Sequence, residues 1–185
     1  FRVYDEVVAQ VLLTRDDLNG KKRYIHSRDT ITELLNLNVI PIINENDTVS
    51  VDEIKIGDND NLSAIVAAAV SADLLIILSD VEGLYNKNPK TNPDAVLVKE
   101  VLKITKEIME SAGGAGSLVG TGGMKTKIEA AKTAVKFGID MIITNGDDIT
   151  NIKKILDGED IGTRFVGEND DVSRKKDWIA FGLKP

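Results

Sequence analysis

Cysteine is absent from this sequence, histidine occurs once, and aromatic residues amount to only 4%. Without cysteine there are no disulfides and no thiolate-ligated metals, and a reducing cytoplasm fits. With aromatics so scarce, a core has to be assembled from Ile, Val, Leu and Ala, which suits a sheet covered by helices. Long apolar runs are missing too: none approaches the roughly 18–20 residues needed to cross a bilayer. The opening FRVYDEVVAQ is interrupted by acidic residues and does not read as a secretory signal. Basic residues are in deficit, 23 Lys and Arg against 30 Asp and Glu, for a formal net charge of −7. Such a surface repels polyanions, which disfavours broad nucleic-acid binding. A small anion would need local lysines, backbone amides or a metal to overcome that field.

What remains is an ordinary globular mixture, 42% apolar and 29% charged over 185 residues, enough for one domain with a real core. The chain opens on Phe1, directly in patterned sequence, and the expectation is of a piece of a longer protein. Short β-branched runs at residues 7–13, 39–43, 74–78 and 141–144 read as strands. Between them, residues 30–37 place Ile31, Leu34 and Leu35 on one helical face, and residues 62–70 read as an Ala-rich helix buried on most sides. The clearest helix is 124–137, where Met124, Ile128, Ala131 and Val135 form one stripe and Gly138 is placed to end it. Continuous apolar strands alternating with helices predict an α/β three-layer sandwich with a mostly parallel central sheet, one domain over residues 1–185. The alternating segment 49–56 predicts an exposed hairpin or flap. Residues 86–94, with two of the four prolines, predict a surface loop.

In open α/β sheets, ligands bind beyond the carboxyl ends of the strands. The run 39–43 is followed by Asn44, Glu45, Asn46 and Asp47; the run 74–78 by Ser79 and Asp80; the run 141–144 by Asn145, Gly146, Asp147 and Asp148. Turns use the same residue types, and Asn145-Gly146 reads as a turn alone. The cluster at 44–47 is denser than a turn needs and points to function. Ahead of the apolar helix stands Gly57-Asp58-Asn59-Asp60-Asn61. It lacks the central Gly and distal Glu of a calcium loop. Helix capping by Asp60 or Asn61 needs one polar side chain, and here four run in a row. Carboxylates at a helix start can position lysines or a metal-bound phosphate.

The most informative stretch is 113–127, GGAGSLVGTGGMKTK, whose first eleven positions hold six of the 15 glycines. Such a backbone has to adopt φ > 0 or approach something closely. It feeds a helix start, which presents unbonded N–H groups and the positive end of the dipole and so suits phosphate. Lys127, in the first turn, adds a full positive charge. The pattern is neither the Walker loop nor the G-x-G-x-x-G fingerprint, since Lys125 stands where the third glycine belongs. A flexible surface loop is the bland alternative, and the coupling to a lysine-bearing amphipathic helix argues against it. His26, in the charged stretch 21–29, reads as a surface residue rather than a base, and Lys21, Lys22 and Arg23 as a solvated turn.

INEND (43–47), KIGDNDNLSA (55–64), LSDVEGLY (78–85) and GTGGMKTK (120–127) together resemble the glutamate 5-kinase family of the amino-acid kinase superfamily. The likeness runs from about Val11 to about Gly182, and the INEND and KIGDNDN segments favour glutamate as the acceptor. It implies a cytoplasmic transferase of proline biosynthesis that uses ATP, with Mg2+, to phosphorylate the γ-carboxylate of L-glutamate. By the same resemblance Asp47 and Asn59 bind glutamate, Asn44 lines that pocket, and Asp60 organises the catalytic lysines. Ser79 and Asp80 contact the nucleotide. Thr121, Gly122, Gly123, Met124, Lys125, Thr126 and Lys127 hold the phosphates, with Lys127 stabilising charge on the transferred group. No residue is assigned as a metal ligand. Homo-oligomerisation and feedback inhibition by proline are implied as well. In the family, an N-terminal segment supplies a first strand with a phosphate-binding lysine and a serine-glycine loop. Nothing before Val7 matches those parts, so the first strand or strands are expected to be missing and the chain alone to be poorly active. A relative acting on N-acetylglutamate, aspartate, carbamate or UMP, and a non-catalytic nucleotide- or amino-acid-binding module, are the alternatives.

Overall fold

The computed structural model describes residues 1–49, 59–112 and 123–168. Its strands are β1 (Val8–Leu13), β2 (Ile40–Glu45), β3 (Leu74–Ser79), β4 (Glu100–Val101), β5 (Asp140–Asn145) and β6 (Thr163–Phe165). Its helices are α1 (Arg15–Asn19), α2 (Lys21–Asn36), α3 (Asn59–Ala69), α4 (Lys106–Ala112), α5 (Met124–Lys136) and α6 (Thr150–Leu156). Among the described residues no helix is long and apolar enough to cross a membrane.

The architecture is α/β with mostly parallel pairing. Strands β1 and β2 pair in parallel across the α1–α2 crossover, and β3 pairs in parallel with β5. Strand β6 runs antiparallel to β5 and parallel to β4. The expected single sheet is divided among the described residues into two hydrogen-bonded groups, β1-β2 and β3-β5-β6-β4. The chemistry of β2 suits an open border. Ile40 donates its amide to Val7 and Asn46 to Leu13, so even positions turn their backbone toward β1. Odd positions turn to the other side, where Pro41 has no N–H to offer. Helix α3 packs against both β2 and β3. Between those strands lies a groove of about 370 Å³, lined by Pro41, Ile43, Asn59, Leu62, Val66 and Leu75 among others.

The main core joins α3 and α5 to β5 and β6 through Ala64, Ile128, Ala131, Met141, Ile143 and Phe165. Burying each large side chain of that set contributes about 1.5–3 kcal/mol. A smaller core, with Leu13, Leu18, Ile31 and Leu62, ties β1 to the first helices and to α3. Helices α3 and α5 pack on one another, and both carry buried alanines of the same core, Ala64 and Ala67 on α3 and Ala130, Ala131 and Ala134 on α5. So small a side chain lets the two backbones approach closely. Helix α5 ends as its sequence predicts, with Gly138 at φ 73. Gly162, at φ 75, opens β6 where an added Cβ would lie 2.1 Å from the Ile143 carbonyl oxygen, so only glycine fits.

One reading needs correction. Lys21, Lys22 and Arg23 are the first turn of α2, which begins at Lys21 rather than near Thr30. Lysine and arginine are good helix formers, and Ile31 anchors the helix by burial, so a charged first half is tolerated on an exposed face. The flap expected at 49–56 lies outside the described residues beyond Val49, which is exposed. Residues 86–94 form an irregular loop, as expected, pinned by a Lys87–Asp94 ion pair.

Candidate active site

Helix α3 precedes β3 and α5 precedes β5, and each helix packs back on its parallel strand. Both helices therefore begin at the end of the molecule where β3 and β5 finish. Asp60 is the second residue of α3 and Lys127 the fourth of α5. Asp60, Ala64 and Ala67 share one stripe of α3, and Lys127, Ala131 and Ala134 share one stripe of α5. The alanine seam thus ends in a carboxylate on one helix and an ammonium on the other. Lys127 Nζ donates to Asp60 Oδ2 at 3.0 Å and lies 3.4 Å from Oδ1. The two side chains are only 10% and 14% exposed. Asp60 is well placed at the positive end of its helix dipole, whereas a lysine at a helix start opposes the dipole and needs its acid. Removing one member of a shielded pair of this kind costs about 3–5 kcal/mol.

Thr126 completes the cluster. Its hydroxyl donates to Asp60 Oδ2 at 2.8 Å and stands 2.7 Å from the Gly123 carbonyl oxygen. Gly123, the residue before α5, has φ −79, with nothing among the described residues within 4 Å of an added Cβ. Neither strain nor packing among the described residues demands glycine there, contrary to the simplest expectation for this loop. Met124 packs against the main core, and Lys125 is exposed. Thr121 and Gly122 lie outside the described residues.

At the far end of β3, Ser79 Oγ donates to Asp80 Oδ1 at 3.1 Å, and Asp80 is exposed. Asn145, expected in a turn, is the last residue of β5, and Gly146 begins the bend after it; both fasten this strand end. Gly146 donates its amide to the Ser79 carbonyl at 2.8 Å, and Asn145 Nδ2 donates to Glu82 Oε1 at 3.3 Å. Asn59, beside Asp60, lines the groove between β2 and β3. Asn44 and Asp47 are exposed at and just beyond the end of β2. No hydrogen bond among the described residues joins either to Asp60 or Lys127. His26 stands exposed on α2. Among the described residues no group of three His, Asp or Glu side chains could hold a metal ion.

A model of the amino acid kinase family matches residues 2–145. The chain belongs to this family. Curated relatives are similar along its whole length. A glutamate 5-kinase from Citrifermentans bemidjiense is 49% identical over 185 residues, 100% of this chain and 50% of that protein. One from Syntrophotalea carbinolica is 51% identical over 181 residues, 98% and 48% of the two chains. The chain thus spans about half the length of the curated relatives it matches. Among solved amino acid kinase folds, the T. acidophilum isopentenyl phosphate kinase product complex superposes with a TM-score of 0.57 at 22% identity. That match covers 89% of this chain and 62% of the other. UMP kinase from Bacillus anthracis superposes at 0.61 with 13% identity, covering 89% and 59%. At such identities the likeness concerns the amino acid kinase fold alone.

Proposed function

We propose that this chain carries the larger part of the active site of a glutamate 5-kinase, which transfers the γ-phosphoryl group of ATP to the γ-carboxylate of L-glutamate. The product is γ-glutamyl phosphate, the first intermediate of proline biosynthesis. One observation carries the reaction class: an ammonium held 3.0 Å from an acid where two helices begin beside a glycine-rich segment. The acceptor rests on the relatives named glutamate 5-kinase, because the solved neighbours are named for isopentenyl phosphate and UMP and the fold alone leaves the acceptor open.

In the reaction a γ-carboxylate oxygen attacks Pγ in line, the new O–Pγ bond forms, and the bond to the β-phosphate oxygen breaks with its electron pair leaving on ADP. The carboxylate is already ionised at neutral pH, so no general base is needed, which suits a site without His or Cys. Catalysis then rests on position and on neutralising the phosphoryl oxygens. Lys127 supplies the positive charge, and Asp60 fixes where that charge sits. Helix starts and the residues Thr121–Lys127 receive the phosphates, and the room that the described residues leave over Gly123 supports that role. Ser79 and Asp80 contact the nucleotide; Asp47, Asn59 and Asn44 receive glutamate. Mg2+ would come with the nucleotide, held mainly by phosphate oxygens, since the described residues offer no cage. The domain reading is of an amino-acid kinase domain over 1–185 lacking an N-terminal strand, and the groove between β2 and β3 supports it. Cytoplasmic location, homo-oligomerisation and proline control rest on the likeness alone.

Hydroxamate trapping with the full-length protein tests this. Glutamate should give an acyl phosphate, and Lys127→Ala should lower kcat roughly a hundredfold or more. Near-normal turnover by that variant would remove Lys127 from the mechanism. Trapping with aspartate or N-acetylglutamate but not glutamate would overturn the acceptor.

A further inference from the structure

Thr126 lies in the segment assigned to phosphate, yet its hydroxyl is engaged elsewhere. A threonine hydroxyl has a single hydrogen to give. Here two acceptors stand within reach of it, Asp60 Oδ2 at 2.8 Å and the Gly123 carbonyl oxygen at 2.7 Å. Neither acceptor can return a hydrogen, and an ionised phosphate oxygen has none to return either. A phosphate would therefore have to take this hydrogen away from oxygens that already hold it in a half-buried site. Asp60, by contrast, collects two donors on one oxygen: Thr126 Oγ1 and, at 3.0 Å, Lys127 Nζ. A carboxylate held only by a lysine can rotate about its last torsion and take the ammonium with it. A second donor from the neighbouring position of the same helix turn, given when the hydroxyl hydrogen points to Asp60 rather than to Gly123, removes that freedom.

We infer that Thr126 is a positioning residue: its side chain acts on the reaction through Asp60, fixing the carboxylate that aims Lys127, and not by holding phosphate. The inference rests on the proposed kinase reading and gives Thr126 a role different from that of its neighbours in the loop.

The experiment is a kinetic cycle in the full-length protein. Thr126→Val keeps the shape and removes the hydrogen. It should lower kcat about tenfold while KM for ATP stays within about twofold, and Thr126→Ser should restore kcat to within about threefold. In an Asp60→Asn background the added Thr126→Val should cost less than about threefold, because the residue it acts through is already impaired. Losses that multiply in the double variant, or a KM for ATP raised tenfold with kcat kept, would mean that the hydroxyl holds phosphate directly. If Thr126→Val does not fold, Thr126→Ala enters the same cycle. The side-chain 15N resonance of Lys127 at one fixed pH separates the two levels of reading. A resonance moved by Thr126→Val supports the clamp, and an unmoved one sinks it, whether or not glutamate is the acceptor. A wild-type protein that forms no acyl phosphate would overturn the kinase reading alone.

Discussion

At Asp148 three donors converge on one carboxylate. The Thr150 hydroxyl and amide bond Oδ1, and Lys154 Nζ bonds Oδ2 at 2.9 Å. The Thr150 hydroxyl, then Lys154, hold its pKa at about 2, below the ordinary 3.8. A depressed carboxylate stabilises the fold fully above its ordinary pKa, and that contribution disappears as the pH falls from about 4 to about 2. A carboxyl 13C titration should place the Asp148 midpoint near 2, moving upward in Lys154→Ala; an ordinary midpoint in the wild type would show these bonds to be absent in solution. Residues of this kind differ in how far the sequence announces them. Asp60 and Lys127 are legible as candidates because four polar residues in a row, more than a cap needs, stand at the start of α3 and a glycine-rich run leads into α5. Thr126 is not, since a hydroxyl in a glycine-rich helix start has the same pattern whether it serves a phosphate or a carboxylate. Asn145 reads as a turn residue but is the last residue of β5, and its bond to Glu82 spans 63 positions, a contact that no local pattern records.

Among elements, the α3–α5 contact has the clearest consequence. Ala131 is fully buried in the seam that Lys127 begins. Ala131→Leu should destabilise the fold by about 1–3 kcal/mol, read from denaturant midpoints. It should also lower kcat, because wider helix spacing separates Lys127 from Asp60. A variant with an unchanged midpoint would show that the seam yields without strain. Helix α5 was readable almost to the residue because its apolar stripe is long and ends at a glycine. Helix α2 was only half readable, since its first half is charged and carries no stripe. Strands β4 and β6, of two and three residues, are too short to show any period. The capping box of α1, in which Thr14 Oγ1 accepts from Asp17, lies in a run of charged residues that gave no apolar cue.

For the molecule as a whole, alternation of strand and helix was enough to predict the class, and composition was enough to predict an aliphatic core. Strand order was beyond reach, because it depends on which borders meet after collapse, and the separation of β2 from β3 has no signature beyond Pro41. That separation leads to a prediction. The 185-residue chain by itself should form no detectable γ-glutamyl hydroxamate where the full-length protein does, and equal activity would show the groove to be irrelevant to the site. The alanine seam has a further effect, on entropy. Alanine has no side-chain torsion to freeze, so bringing the two helices together there costs no side-chain entropy. On the proposed kinase reading, an incoming phosphate would meet an acid and an ammonium already paired at 3.0 Å.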